Sequence, residues 1–174
     1  MIISLVGYMG SGKSHISKIL SQKLNFRVID LDREISLQNN LSIPEIFEKR
    51  GEIYFRKVEK EILEVILSTQ DNIVLSVGGG TPAYYNNMET INSLSTSIFL
   101  QTSVPVLTER ILKLKEKRPL IARINDEDIP EFIAKHLFER NIFYSKAKFK
   151  VITDRKDPEK IVKEILDLIK NATL

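Results

Sequence analysis

Gly7-Tyr8-Met9-Gly10-Ser11-Gly12-Lys13-Ser14 satisfies G-x-x-x-x-G-K-[ST] at every fixed position. Before it, Ile2-Ile3-Ser4-Leu5-Val6 is a short apolar, β-branched run that reads as a buried strand. After it, Ile16, Ile19, Leu20 and Leu24 recur at helical spacing, so an amphipathic helix begins near Lys13. Strand, glycine turn and helix start form the setting in which backbone N–H groups converge on an anion at the positive end of a helix dipole. Lys13 adds a point charge for terminal phosphates, and the Ser14 hydroxyl is a ligand for Mg²⁺. The stretch is read as a phosphate-binding loop for a nucleotide.

Outward from that loop the chain alternates. Phe26–Ile29 reads as a second strand ending at Asp30-Leu31-Asp32, Ile73–Val77 as a third, Ser97–Leu100 as a fourth and Phe149–Thr153 as a fifth. Helical patterns lie between them. Ser42-Ile43-Pro44-Glu45 carries a capping box before a short helix ended by Gly51, and a longer helix follows over Glu52–Thr69. Weaker patterning suggests a helix over Tyr84–Leu94. Further helices are expected over Val104–Leu114, over Glu131–Phe149 and from Pro158 onward, the last with Ile161, Ile165, Leu168 and Ile169 inward. Five strands alternating with helices predict a three-layer α/β/α domain around a five-stranded parallel sheet. At 174 residues the chain is read as one domain, 1–174.

Composition narrows the chemistry. A net charge of +3, from 26 basic and 23 acidic residues without a basic, aromatic-studded block, gives no reason to expect nucleic acid as a partner. Zero cysteines exclude disulfides and thiolate chemistry. No apolar run reaches the length needed to cross a bilayer, and a strand at Ile2 leaves no room for a leader's charged region, so a cytoplasmic protein without membrane contact is expected.

Three further features stand at predicted strand ends or in irregular chain. Asp30 and Asp32 lie at the carboxyl end of the second strand, where open α/β sheets place ligands. Two apart on extended chain they point to opposite sides, one toward Mg²⁺ and one toward a second substrate, although a turn-capping pair reads equally well. Gly78-Gly79-Gly80 follows the third strand directly, and three glycines in a row point to backbone approached closely by a ligand. Arg56 and Arg140 stand beside Phe55 and Phe143-Tyr144; alone, each reads as a surface or ion-paired arginine. Between Lys113 and Asp128 the chain is crowded with charge and loses its apolar period, and Arg118-Pro119 there reads as a lid arginine or as a solvated charge run.

Together these residues resemble the shikimate kinase family, of the nucleoside-monophosphate-kinase-like branch of P-loop proteins. Carrying the resemblance are Gly7–Ser14, Asp30-x-Asp32, Phe55-Arg56-x-x-Glu59, Gly78-Gly79-Gly80, Arg118-Pro119-Leu120, Glu139-Arg140-x-x-x-Tyr144 and the Thr153–Pro158 segment, in the family's order over nearly the whole chain. The resemblance implies that ATP phosphorylates the 3-hydroxyl of shikimate to give shikimate 3-phosphate and ADP, a step toward chorismate and the aromatic amino acids. It implies that Gly10, Ser11, Gly12, Lys13, Ser14 and His15 hold the phosphates, with Ser14 and Asp30 on Mg²⁺. Asp32 would meet the attacking hydroxyl, Arg56 and Arg140 the carboxylate, and Gly78, Gly79 and Gly80 the ring. Arg118 would close from a lid over about 113–128, opposite a substrate-binding region over about 31–60. Either Arg155 or Lys156 would lie near adenine. Lys13, Asp32 and Arg118 are the expected catalytic residues, ATP/ADP and shikimate the expected partners, and a monomer the expected state. His15 and Ser17 depart from the family's usual Thr and Gly, and His136 reads as a surface histidine. Another small-molecule kinase of this branch, gluconate-kinase-like, and a non-catalytic nucleotide-binding module are the alternatives.

Overall fold

Parallel strands cannot be joined by a tight turn, so each crossover must carry a helix that covers the sheet. The computed structural model describes residues 1–113, 121 and 123–172. In chain order it runs β1 (Ile2–Val6), α1 (Lys13–Leu24), β2 (Arg27–Asp30), α2 (Leu31–Asn39), α3 (Ile43–Leu67) and β3 (Ile73–Ser76). It continues with α4 (Asn87–Leu94), β4 (Thr96–Gln101), α5 (Val104–Leu112), α6 (Ile129–Tyr144), β5 (Phe149–Ile152) and α7 (Pro158–Ala172). The sheet order is β2-β3-β1-β4-β5, and every pairing is parallel.

Strand alternation divides the core in two. Ile3 and Leu5 of β1 face Ile16 and Leu20 of α1 and Ile161, Val162 and Ile165 of α7. Ile2 and Val6 face the opposite layer, with Ile35 of α2, Ile62 and Leu63 of α3, Met88 and Ile91 of α4, Leu107 of α5 and Ile133 of α6. The neighbours β1 and β3 therefore send their chains to opposite faces. Such a reversal opens a crevice at the carboxyl ends of the strands. Their register sets Leu5 opposite Ser76, so the turn at Gly7 and the turn at Gly78 leave the sheet side by side.

Local differences from the sequence pattern have local causes. The second strand stops at Asp30, whose side chain accepts the Arg33 N–H and caps α2; Asp32 thus sits in the first turn of a helix and not on extended chain. The two helices expected on either side of Gly51 are both present: α3 is helical over 43–50 and 52–67, and the helix is broken at Gly51, where φ is 82° and ψ 169°. The helix expected from Tyr84 starts at Asn87, after a short 3-10 turn over Thr81–Ala83. The helix expected over Glu131–Phe149 starts two residues earlier and ends at Tyr144. Of the charged segment 113–128, Ile121 is buried in the core and Asp126–Asp128 forms a 3-10 turn, while 114–120 and 122 lie outside the described residues.

The capping box at α3 forms as the sequence suggests: Glu45 N–H donates to Ser42 Oγ, and the Ser42 N–H donates back to Glu45 Oε2 at 2.8 Å. Replacing Ser42 by Ala should cost about 1 kcal/mol and lower Tm by about 2–4 °C, measured by thermal unfolding.

Candidate active site

Left-handed backbone at Gly10 (φ 81°) and Gly12 (φ 97°) folds the glycine loop over the start of α1. The Lys13 ammonium is buried there and donates to the carbonyls of Gly7 at 2.7 Å and Tyr8 at 3.0 Å. Ser11 Oγ is buried within the loop and has no partner among the described residues. One turn on, Ser14 Oγ donates to Asp30 Oδ2 at 3.0 Å. This pairs two hard oxygen donors from α1 and the end of β2, the donor type that Mg²⁺ takes. The same Asp30 carboxylate caps α2, so the capping reading of this residue is realised while its second oxygen meets Ser14.

The opposite wall is a charge network pressed against the triple glycine. Glu59 of α3 is 1% exposed; its Oε2 accepts from Arg56 Nη1 at 2.9 Å and its Oε1 from Thr81 Oγ1 at 2.7 Å. Arg56 Nε donates to Glu52 at 3.3 Å, and the guanidinium lies 3.8 Å from the Tyr84 ring centroid. Tyr84 Oη in turn donates to Glu52 at 2.7 Å. None of Gly78, Gly79 and Gly80 has a positive φ, and each is required by a different neighbour. A Cβ at Gly78 would lie 2.9 Å from Asp32 Oδ1, one at Gly79 3.3 Å from the Met9 nitrogen, and one at Gly80 2.9 Å from Arg56 Nη2. The close approach at the glycine run is made by the protein's own groups, where the sequence suggested a ligand.

Beside the loop lies a cavity of about 560 Å³ lined by Gly10, Gly12, Lys13, Ser14, His15, Asp30, Asp32, Gly78, Gly79 and Arg110 among others, with the Arg56–Glu59 network outside its lining. Asp32 sits in it with its carboxyl raised to about 6. Burial is the main cause, Asp30 and Glu59 add to it, and Lys13 and Arg56 hold it back. The geometry sets an anion-binding loop and a buried carboxyl on two sides of one open crevice.

The shikimate kinase family model matches residues 9–170. The chain belongs to the shikimate kinase family. A curated shikimate kinase of Flavobacterium johnsoniae is 44% identical over 168 residues, 96% of this chain and 98% of that protein. The crystal structure of shikimate kinase from Bacteroides thetaiotaomicron superposes with a TM-score of 0.92 at 34% identity, covering 98% of each chain. Shikimate kinase from Acinetobacter baumannii, solved in complex with shikimate, superposes with a TM-score of 0.90 at 30% identity over 99% of this chain and 94% of that one.

The structure brings most of the sequence-predicted shikimate kinase residues to this one crevice. Arg56 lies against Gly80 and pairs with Glu59, and these three stand outside the cavity's lining. Arg140, on α6, lies 5.6 Å from the Tyr8 ring centroid. Arg155, left-handed at φ 52°, follows β5, and Lys156 beside it is paired to Glu164 at 2.6 Å. Arg118 lies outside the described residues. Sequence reasoning missed Glu59 as a site residue, although its place three after Arg56 on a helix puts the two on one face. It also missed Arg110, which lines the cavity and donates to the Gly10 carbonyl at 3.1 Å from an otherwise ordinary amphipathic helix. His136 is no plain surface histidine: it is half-buried, and its Nδ1 pairs with Tyr8 Oη at 3.0 Å.

Asp32 carries a testable cost. It binds its proton more tightly in the fold, near pH 6, than at its ordinary value of 3.8. Its contribution to stability is therefore complete below about pH 4 and is lost as pH rises through about 6. At pH 7 the carboxylate should cost the fold on the order of 2 kcal/mol. Asp32→Asn should raise Tm at pH 7 and leave it almost unchanged at pH 4, while turnover falls by about 100-fold or more. Calorimetry at the two pH values with a parallel rate assay decides it; a lower Tm at pH 7 would contradict the account.

Proposed function

We propose that this enzyme transfers the γ-phosphoryl group of ATP to the 3-hydroxyl of shikimate, giving shikimate 3-phosphate and ADP for the route to chorismate and the aromatic amino acids. One observation carries the reading: a single cavity has the phosphate loop on one wall and, on the other, Asp32 backed by the Arg56–Glu59 pair. Donor and acceptor sites face each other across it.

On the donor side, the backbone of Gly10–His15 cradles the phosphates, and Lys13 exchanges its two carbonyl partners for phosphate oxygens. Ser14 and Asp30 are the residues that fit Mg²⁺, which when bound neutralises charge on the phosphates. For the adenine end we assign Arg155 over Lys156, because the Lys156 ammonium is already engaged by Glu164. Arg118 is assigned from sequence to close over the phosphates from the 113–128 lid.

On the acceptor side, Asp32 orients the 3-hydroxyl and takes its proton as the oxygen attacks phosphorus and ADP departs. A carboxyl near pH 6 is well matched to that proton transfer at neutral pH, and a loose transition state asks little of the base. Arg56 and Arg140 bind the planar carboxylate, a match to the guanidinium fork. Arg56 is held ready for this by Glu59, Glu52 and the Tyr84 ring, so little of its freedom remains to be lost on binding. We take the working enzyme to be a cytoplasmic monomer with 31–60 as its acceptor-binding region.

Coupled ADP release should depend on shikimate and not on gluconate, which would mark the gluconate-kinase-like alternative. ATP binding with no turnover would instead indicate a regulatory module. Arg56→Leu should raise KM for shikimate by the equivalent of about 2–5 kcal/mol and leave KM for ATP within about twofold. Equal rises in both would show that the carboxylate assignment is wrong.

A further inference from the structure

On α6, His136, Arg140 and Tyr144 stand four residues apart and so share one face, one turn above another. Both outer members are fastened to the crevice. His136 Nδ1 pairs with Tyr8 Oη at 3.0 Å, and Tyr144 Oη donates to the Gly79 carbonyl. The two anchor points are themselves in contact, since a Cβ on Gly79 would lie 3.3 Å from the Met9 nitrogen and 3.7 Å from the Tyr8 carbonyl carbon. The four residues thus close a ring that runs from the phosphate loop to α6, down two turns, and back through the triple glycine. Arg140 is the residue inside that ring, with the buried Tyr8 ring 5.6 Å from its guanidinium carbon.

We infer that His136 is a positioning residue for the phosphate acceptor, locking Tyr8 and the face of α6 from which Arg140 reaches the site. The inference rests on the reading that Arg140 binds the acceptor carboxylate. Several features suit His136 to the task. Its ring packs at a tilt against Phe132 with centroids 4.2 Å apart and meets Tyr8 edge-on at 6.1 Å, so its orientation is held from two sides. Burial, then the nearby Arg140, hold its proton affinity below the ordinary histidine value, with Glu139 opposing and Lys135 assisting. The ring is therefore neutral at pH 7 and can accept the Tyr8 hydroxyl at Nδ1 with its own proton on Nε2. Tyr8 also lends its carbonyl to Lys13, so one residue touches the donor lysine with its backbone and the acceptor arginine with its ring.

Two variants separate the hydrogen bond from simple packing. His136→Phe keeps a ring on Phe132 and removes the acceptor; His136→Asn offers an amide oxygen close to the Nδ1 position. His136→Phe should raise KM for shikimate about five- to tenfold, with KM for ATP within about twofold and kcat little changed. His136→Asn should recover most of the loss. Tyr8→Phe should match His136→Phe, and the double variant should add nothing to either single one. The chain has two histidines, so ¹⁵N spectra resolve the His136 ring and should show an accepting Nδ1 that Tyr8→Phe removes. An unchanged KM for shikimate in His136→Phe, equal rises in both KM values, or an Asn variant as impaired as the Phe variant would each overturn the inference alone. Absence of shikimate-dependent turnover in the unaltered enzyme would overturn the functional reading, and this one with it.

Discussion

The parallel pairing of β1 with β3 is the constraint on which the site depends. With Leu5 opposite Ser76, the strands end level, and the Val77 N–H donates to the Leu5 carbonyl just before the chains separate. The glycine loop then turns toward α1 on one face, and the triple glycine passes toward α4 on the other. A slip of one residue would invert every side chain of β3 and move Gly79 away from the Tyr8–Met9 backbone. Buried apolar residues on both faces of β1 and β3 make that slip prohibitive.

Around this pair most of the charges described in the crevice are met by the protein's own groups. Glu59 is satisfied by Arg56 and Thr81, Asp30 by Ser14 and the start of α2, and Lys13 by two carbonyls. Asp32 is the exception. It is drawn toward neutrality by burial and by two neighbouring carboxylates, and kept from it by Lys13 and Arg56. A fold would be more stable without such a group, which is common where a side chain is kept for chemistry. The triple glycine serves the same arrangement: its missing side chains are the space in which Asp32, the loop backbone and Arg56 sit.

Much of this was legible in the residues themselves. The phosphate loop, five strands, the capped start of α3 and the last helix each follow from local patterns, because short-range sterics and hydrophobic period decide them. The family likeness ordered the remaining motifs. Where local reading failed, a longer-range force had prevailed. Asp32 lies on a helix and not on extended chain because the Asp30 cap on α2 and the burial of Leu31 end the strand at Asp30. Arg110 and His136 carry no local mark at all. Arg110 meets Gly10 only because β4 lies next to β1, and His136 meets Tyr8 across 128 residues of sequence.

By itself, the sequence determined that Gly7–Ser14 forms a phosphate-loop motif between a strand and a helix, that an α/β/α domain surrounds it, and which acidic and basic residue types stand at the strand ends. Those properties depend on neighbours within a turn or two of chain. Only the tertiary structure decided what each charge faces: that Glu59 holds Arg56, that the glycines make room for the protein's own side chains, and that Tyr8 joins the phosphate loop to α6. The reason is physical. Proton affinity, hydrogen-bond partners and close approach are properties of the space around a group, and strand order sets that space by joining segments distant in the chain.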